Sequence, residues 1–272
     1  MPPNTAIFTI GRMNPPTSGH MKLIQTMMEF NIALPPDDLG HGNIYIILSH
    51  TQNNIKDPLS CERKRELLEA KGIINQIKIR NPLFKNIKVT IFCKDDPLSG
   101  CETINNWILK PICHIIELNE ETTGEKPTKM VLFIGEDRAE SYKDFLFKYG
   151  PKMIEFDYFA LPRPKGSISA TEMRALVTSG QMDEFVTAVI ENGLSRDEAE
   201  HLFLELKTLL DTTKSKKYTT PKVKTPKVKT PGKSTPSRKS AKGGRRRQRK
   251  SRKNKTYKKF KSYKTYKKNK KN

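Results

Sequence analysis

Among its 272 residues the chain has only four cysteines and one tryptophan, and no acidic residue after Asp211. Cys61, Cys93, Cys101 and Cys113 form no Cys-x-x-Cys pair, which removes the common zinc-finger and thiol-redox patterns. They read as reduced thiols of an intracellular protein. No apolar run approaches the ~20 residues that a membrane-spanning helix requires. The opening Met1-Pro2-Pro3-Asn4-Thr5 lacks the charged and apolar regions of a secretory leader. A soluble, intracellular (cytoplasmic) protein is therefore expected.

The missing acid at one end also explains the charge. Of the 51 Lys and Arg residues, 27 follow Asp211, so the preceding body carries 24 against 29 acidic residues. The net charge of +22 thus belongs to the tail, and the body is mildly negative. Within the tail, Thr220-Pro221, Thr225-Pro226, Thr230-Pro231 and Thr235-Pro236 repeat among lysines. Residues 212–272 offer too little apolar surface to offset the entropy of ordering, so a disordered tail is expected. Tyr257, Phe260, Tyr263 and Tyr266 alternate with lysines there. That pattern suits nucleic acid, through counter-ion release and base stacking. A merely solvated tail, or one touching anionic membranes or acidic proteins, is the other reading. Residence in a nucleus or viral factory would be compatible with it.

Inside the body, apolar runs alternate with amphipathic stretches. Ala6–Ile10, Ile44–Leu48, Ile87–Phe92, Met130–Ile134 and Ile154–Leu161 predict buried strands. Helices are predicted near 18–31, 60–75, 102–117 and 138–149, and again near 183–191 and 196–211. Repeated strand-helix alternation predicts an α/β fold, a Rossmann-like parallel sheet with helices on both faces. The expected division is a catalytic domain over 1–180, a C-terminal helical segment over 181–211, and the tail.

Three stretches carry chemistry. Gly11-Arg12-Met13-Asn14-Pro15-Pro16-Thr17-Ser18-Gly19-His20 joins the first strand to the first helix. Gly11 allows close backbone approach, and a helix opening at Gly19 and His20 presents free N–H groups to an anion. Thr17 adds a hydroxyl and His20 a ring donor, although Thr17 or Ser18 acting only as a cap would need neither role. Ile168-Ser169-Ala170-Thr171-Glu172-Met173-Arg174 begins a later helix. Ser169 and Glu172 make a capping box, while Thr171 and Arg174 add a hydroxyl and a forked cation suited to phosphate. Gly135-Glu136-Asp137 ends the fourth strand, where Gly135 allows close approach and Asp137 can cap the following helix.

The first two motifs, in this order, resemble the paired signatures of the nucleotidyltransferase superfamily. The usual His-x-Gly-His has Thr17 in place of its first His, and Ile-Ser-Ser-Thr-x-x-Arg has Ala170 in place of its middle Ser. Thr17 with Gly135-x-Asp137 is most similar to the nicotinamide-mononucleotide adenylyltransferase branch. The resemblance implies transfer of a nucleotidyl group from a nucleoside triphosphate, ATP favoured, to a phosphorylated small molecule, with Mg²⁺ bridging phosphate oxygens largely through water. By the same resemblance His20, Thr17 and Arg174 are catalytic. Gly11, Arg12, Met13, Gly19, Gly135, Asp137, Ser169 and Thr171 bind the nucleotide, and no protein metal ligand is assigned.

Ser49-His50-Thr51-Gln52-Asn53-Asn54, followed by Asp57-Pro58-Leu59-Ser60-Cys61-Glu62-Arg63-Lys64, reads as a further recognition loop and resembles segments of large-virus and phage relatives. Ser49, Arg63, Lys64 and Trp107 are candidates for the second substrate, with packing the alternative for Trp107. Two other functions remain open at this point. One is cytidylyl transfer from CTP to phosphocholine or glycerol phosphate; the other is an inactive body serving a nucleic-acid-binding tail.

Overall fold

The computed structural model describes residues 2–216, apart from positions 54, 70, 71, 95, 97–100, 102, 103, 105 and 107. The tail beyond residue 216, and with it the expected disorder and nucleic-acid contact, lies outside the described residues. So does Trp107.

Five strands, β1 (Thr5–Gly11), β2 (Asn43–Leu48), β3 (Lys88–Cys93), β4 (Lys129–Gly135) and β5 (Glu155–Leu161), form one parallel sheet in the order β3-β2-β1-β4-β5. Side chains alternate across it, so neighbours in sequence enter different cores. Ile7, Ile44, Ile46, Val131 and Phe133 point to one face, whereas Phe8, Ile10, Tyr45, Ile47, Leu132 and Ile134 point to the other. The first face packs α1 (Ser18–Asn31), α2 (Cys61–Leu68), α3 (Ile73–Arg80), α6 (Ala170–Ser179), α7 (Met182–Glu191) and α8 (Arg196–Lys216). The second packs α4 (Leu109–Thr123) and α5 (Ala139–Tyr149). Burial on both faces is why these strands read as unbroken apolar runs. The α/β class follows the sequence reading.

Several local expectations change. The single helix near 60–75 is two, because α3 starts afresh after Gly72. A Cβ there would sit 1.7 Å from the Leu67 carbonyl oxygen, so the chain makes a turn only glycine permits. α4 starts at Leu109 and runs to Thr123, closed by left-handed Gly124. Pro111 is tolerated there because it falls in the first turn, and it would have broken a helix begun at 102. β5 is an edge strand and only half-buried, where a buried strand was expected. α8 continues five residues beyond the expected end at 211.

The expected reduced thiols are paired instead. Cys61 bonds Cys93, and Cys101 bonds Cys113. The first pair joins the start of α2 to the end of β3, a meeting that comes from the fold and leaves no spacing signature in the sequence.

Arg63 fastens α2 to α8. Its guanidinium meets Glu198 at 2.7 Å, Glu205 at 2.9 Å and Glu66 at 3.1 Å, with its side chain 18% exposed. Burial opposes its charge, but hydrogen bonds to Glu205 and Glu198 outweigh that and raise its pKa above the ordinary value. Arg63→Ala would leave three carboxylates facing one another. The expected loss is about 1–3 kcal/mol, below the cost at a fully buried pair because the partners stay partly wet. Thermal unfolding checks this: Tm should fall by several degrees, and an unchanged Tm would show the triad to be ornamental.

Candidate active site

β1 sends the chain towards β2 through α1, while β4 continues to the other side through α5. The loops after these two adjacent strands therefore diverge, which opens a crevice beyond their carboxyl ends. A cleft of about 720 Å³ occupies it. Gly11, Arg12, Met13, Thr17, Gly19 and His20 come from the β1–α1 segment. Gly135 and Asp137 come from the turn after β4, and Ser169, Thr171 and Arg174 from the start of α6; all line this one cleft. Ser169 is the N-cap of α6, in a capping box with Glu172. A Cβ at Gly135 would approach the Asp137 carboxylate to 2.7 Å, so this glycine makes room for its own neighbour.

The Thr17 backbone N–H donates to His20 Nδ1 at 3.0 Å, and Thr17 Oγ1 lies 2.9 Å from the same nitrogen. A backbone amide can only donate, so Nδ1 is an acceptor and the ring proton sits on Nε2. Burial, with Arg138 and Arg163 assisting, lowers the His20 pKa to about 4. At neutral pH His20 is thus an uncharged ring with one N–H left to give.

Asn14 joins three segments. Its side chain donates to the Leu59 carbonyl and accepts from the Leu59 N–H, both at 3.1 Å. Its own carbonyl accepts from Arg174 Nη1 at 2.5 Å. Arg174 Nη2 donates to Thr171 Oγ1 at 3.2 Å, and burial lowers the Arg174 pKa. Two motifs separated by 160 positions are therefore in direct contact. Beside Asn14, Met13 takes a positive φ of 45°, a conformation costly for a non-glycine residue, and the Asn14–Pro15 peptide is cis.

Of the second-substrate candidates among the described residues, Ser49, Arg63 and Lys64 do not line the cleft. Arg63 is held by its three glutamates. Lys64 is fully buried and donates to the Ser49 carbonyl at 2.5 Å, while Ser49 N–H donates to the Gly11 carbonyl at 3.0 Å. These groups support the loops behind the site. The charged residues missed are Lys22, Lys56, Glu136, Arg138 and Arg163, and Asp57, expected only as part of a recognition loop, lines the cleft with them. Arg138 and Arg163 had one legible signal, since each follows the end of a strand by two or three residues.

Six Lys and Arg side chains against three carboxylates make this a site for an anion. Among the described residues the only grouping of potential metal ligands is Cys101, Cys113 and Glu117, whose cysteines are disulfide-bonded. Among the described residues no helix is long and apolar enough to cross a membrane.

No model of a known protein family matches the chain, and no curated protein does. The chain is similar to the crystal structure of a Vibrio parahaemolyticus protein bearing the provisional name nicotinate-nucleotide adenylyltransferase. The TM-score is 0.38 at 13% identity, over 65% of this chain and 82% of that one. A likeness of that size carries no weight for function, which rests on the cleft itself.

Proposed function

We propose that this cleft transfers a nucleotidyl group from a nucleoside triphosphate, foremost ATP, to a phosphorylated acceptor, foremost nicotinamide mononucleotide, releasing pyrophosphate. The observation that supports the reading is the convergence of His20 and Arg174, from two distant helix beginnings, on one cationic cleft. An acceptor phosphate oxygen forms the new bond to the α-phosphorus, and the α–β bridging bond breaks with its electron pair leaving on pyrophosphate. The attacking oxygen is already anionic, so no protein nucleophile is needed. His20 Nε2–H donates to the charge developing at the α-phosphate. Arg174, Thr171 and the first-turn amides of α1 and α6 hold the departing phosphates. Mg²⁺, when bound to the phosphates, neutralises part of their charge.

The test incubates the full chain with ATP or CTP, Mg²⁺, and nicotinamide mononucleotide, phosphocholine or glycerol phosphate, and measures pyrophosphate. Release with ATP and nicotinamide mononucleotide above the other pairs is expected. Release only with CTP would replace the adenylyl reading with the cytidylyl one, and none with any pair would leave a nucleic-acid binder.

Gly19 offers a further check. A Cβ there would meet only Thr17 Oγ1, at 3.7 Å, so protein packing does not demand glycine. Gly19→Ala should hold or raise Tm, since alanine gains up to about 1 kcal/mol in a helix. Triphosphate affinity should fall about tenfold or more, because the methyl group stands where phosphate must approach the amides. Unchanged affinity by calorimetry would place the phosphates elsewhere.

A further inference from the structure

The cleft suits anions, yet one of its walls is a buried carboxylate. Asp57, in the loop between β2 and α2, lines the cleft and is 3% exposed. Its backbone is fixed from behind by paired bonds with Asn53, at 2.9 and 3.0 Å. Leu59, two residues on, is clamped by the Asn14 side chain. Asp57 Oδ2 lies 3.6 Å from Arg12 Nη1. Its Oδ1 is buried and has no hydrogen-bond partner among the described residues. Arg174 and Lys64 feel the Asp57 charge, but their bonds go to Asn14, Thr171 and Ser49.

An acceptor oxygen stripped of water and left unpaired is costly. It would also repel a triphosphate docked beside it. A cation arriving with the triphosphate relieves both problems. Mg²⁺ prefers hard oxygens and is commonly held by one or two carboxylates together with substrate phosphates and waters. The other acids at the cleft, Glu136 and Asp137, are exposed.

We propose that Asp57 Oδ1 is the protein ligand, direct or through one water, for a Mg²⁺ ion carried on the triphosphate. The assignment rests on the triphosphate reading of the cleft. It makes the metal site a joint one: Arg12 and Arg174 repel free Mg²⁺ until phosphates arrive between them.

Calorimetric binding of ATP and of CTP to the full chain, with Mg²⁺ and with EDTA, tests it in wild type and Asp57→Asn. Wild type should bind the Mg²⁺ complex at least about tenfold more tightly than the bare triphosphate. Asp57→Asn should shrink that preference to about threefold or less, mainly by binding bare triphosphate better, because the amide no longer repels it. Circular dichroism confirms the fold of the variant, and Asp57→Ser serves if the amide misfolds. An equal Mg²⁺ preference in wild type and variant overturns the metal assignment and leaves the triphosphate site standing. Absence of binding by either triphosphate to wild type, in both conditions, removes the site and the assignment together.

Discussion

His20→Asn lowers kcat by about 10²-fold or more while the protein stays folded, the loss expected when one preorganised donor to developing charge is removed. The substitution is chosen for geometry. The asparagine side-chain oxygen can occupy the place of Nδ1 and still accept from the Thr17 N–H, so the start of α1 is kept. What disappears is Nε2–H. Because burial and two arginines hold the ring neutral, the donor is an uncharged N–H, which suits a site where charge appears only as the reaction proceeds. The ground-state triphosphate needs that bond less, so KM should change little beside kcat. Turnover near wild type would take His20 out of the mechanism.

The same residue predicts a pH dependence of stability. Its pKa is about 4 in the folded chain against the ordinary value of 6.5. Between those values the unfolded chain binds more protons, so stability rises with pH across this window and is lost as pH falls from 6.5 towards 4. The full effect is at most about 3 kcal/mol, less to the extent that water enters the cleft. Wild-type Tm should therefore drop more than that of His20→Asn between pH 6.5 and 4.5, with other carboxylates contributing equally to both. Parallel Tm curves would mean that His20 titrates normally.

The fold was legible because its signals are local and repeated. Each strand is a short Ile-, Val- or Phe-rich run, and each crossover helix has an apolar stripe, so their alternation alone implies parallel pairing. The two segments that meet at the cleft were legible for a related reason: each is a strand end or loop feeding a helix, readable within ten residues. What escaped depended on distance. Arg63 carries the same charge whether it meets a substrate phosphate or Glu198 and Glu205 of α8, and only the packing of α8 decides. Lys64 is fully buried and its ammonium donates to the Ser49 carbonyl, a contact between α2 and the loop after β2 that the sequence does not announce. The cysteine pairs likewise form between elements that no spacing rule connects. Asp57 had no role of its own within its recognition loop, since an unpaired oxygen is a property of surroundings and not of sequence.

Arg174→Lys should raise KM for the triphosphate at least about tenfold and lower kcat about 10²-fold, a larger loss than conservation of charge suggests. In the structure the guanidinium spans two tasks. Nη1 ties α6 to the Asn14 carbonyl and Nη2 orders Thr171, while the proposed function gives the remaining N–H groups of the planar fork to phosphate. One ammonium can reach Asn14 or the phosphates, but it cannot hold the first while presenting two parallel donors to the second. The partly buried site also sharpens the contrast, because burial already presses against the Arg174 charge, and an ammonium is more strongly hydrated than a guanidinium. Steady-state kinetics with calorimetric triphosphate binding separate the two tasks. If the variant loses Tm yet keeps KM and kcat, Arg174 is only a strut between α6 and the Asn14 loop. If it keeps Tm and loses affinity, the fork faces phosphate, and the two motifs act on one ligand as well as on each other.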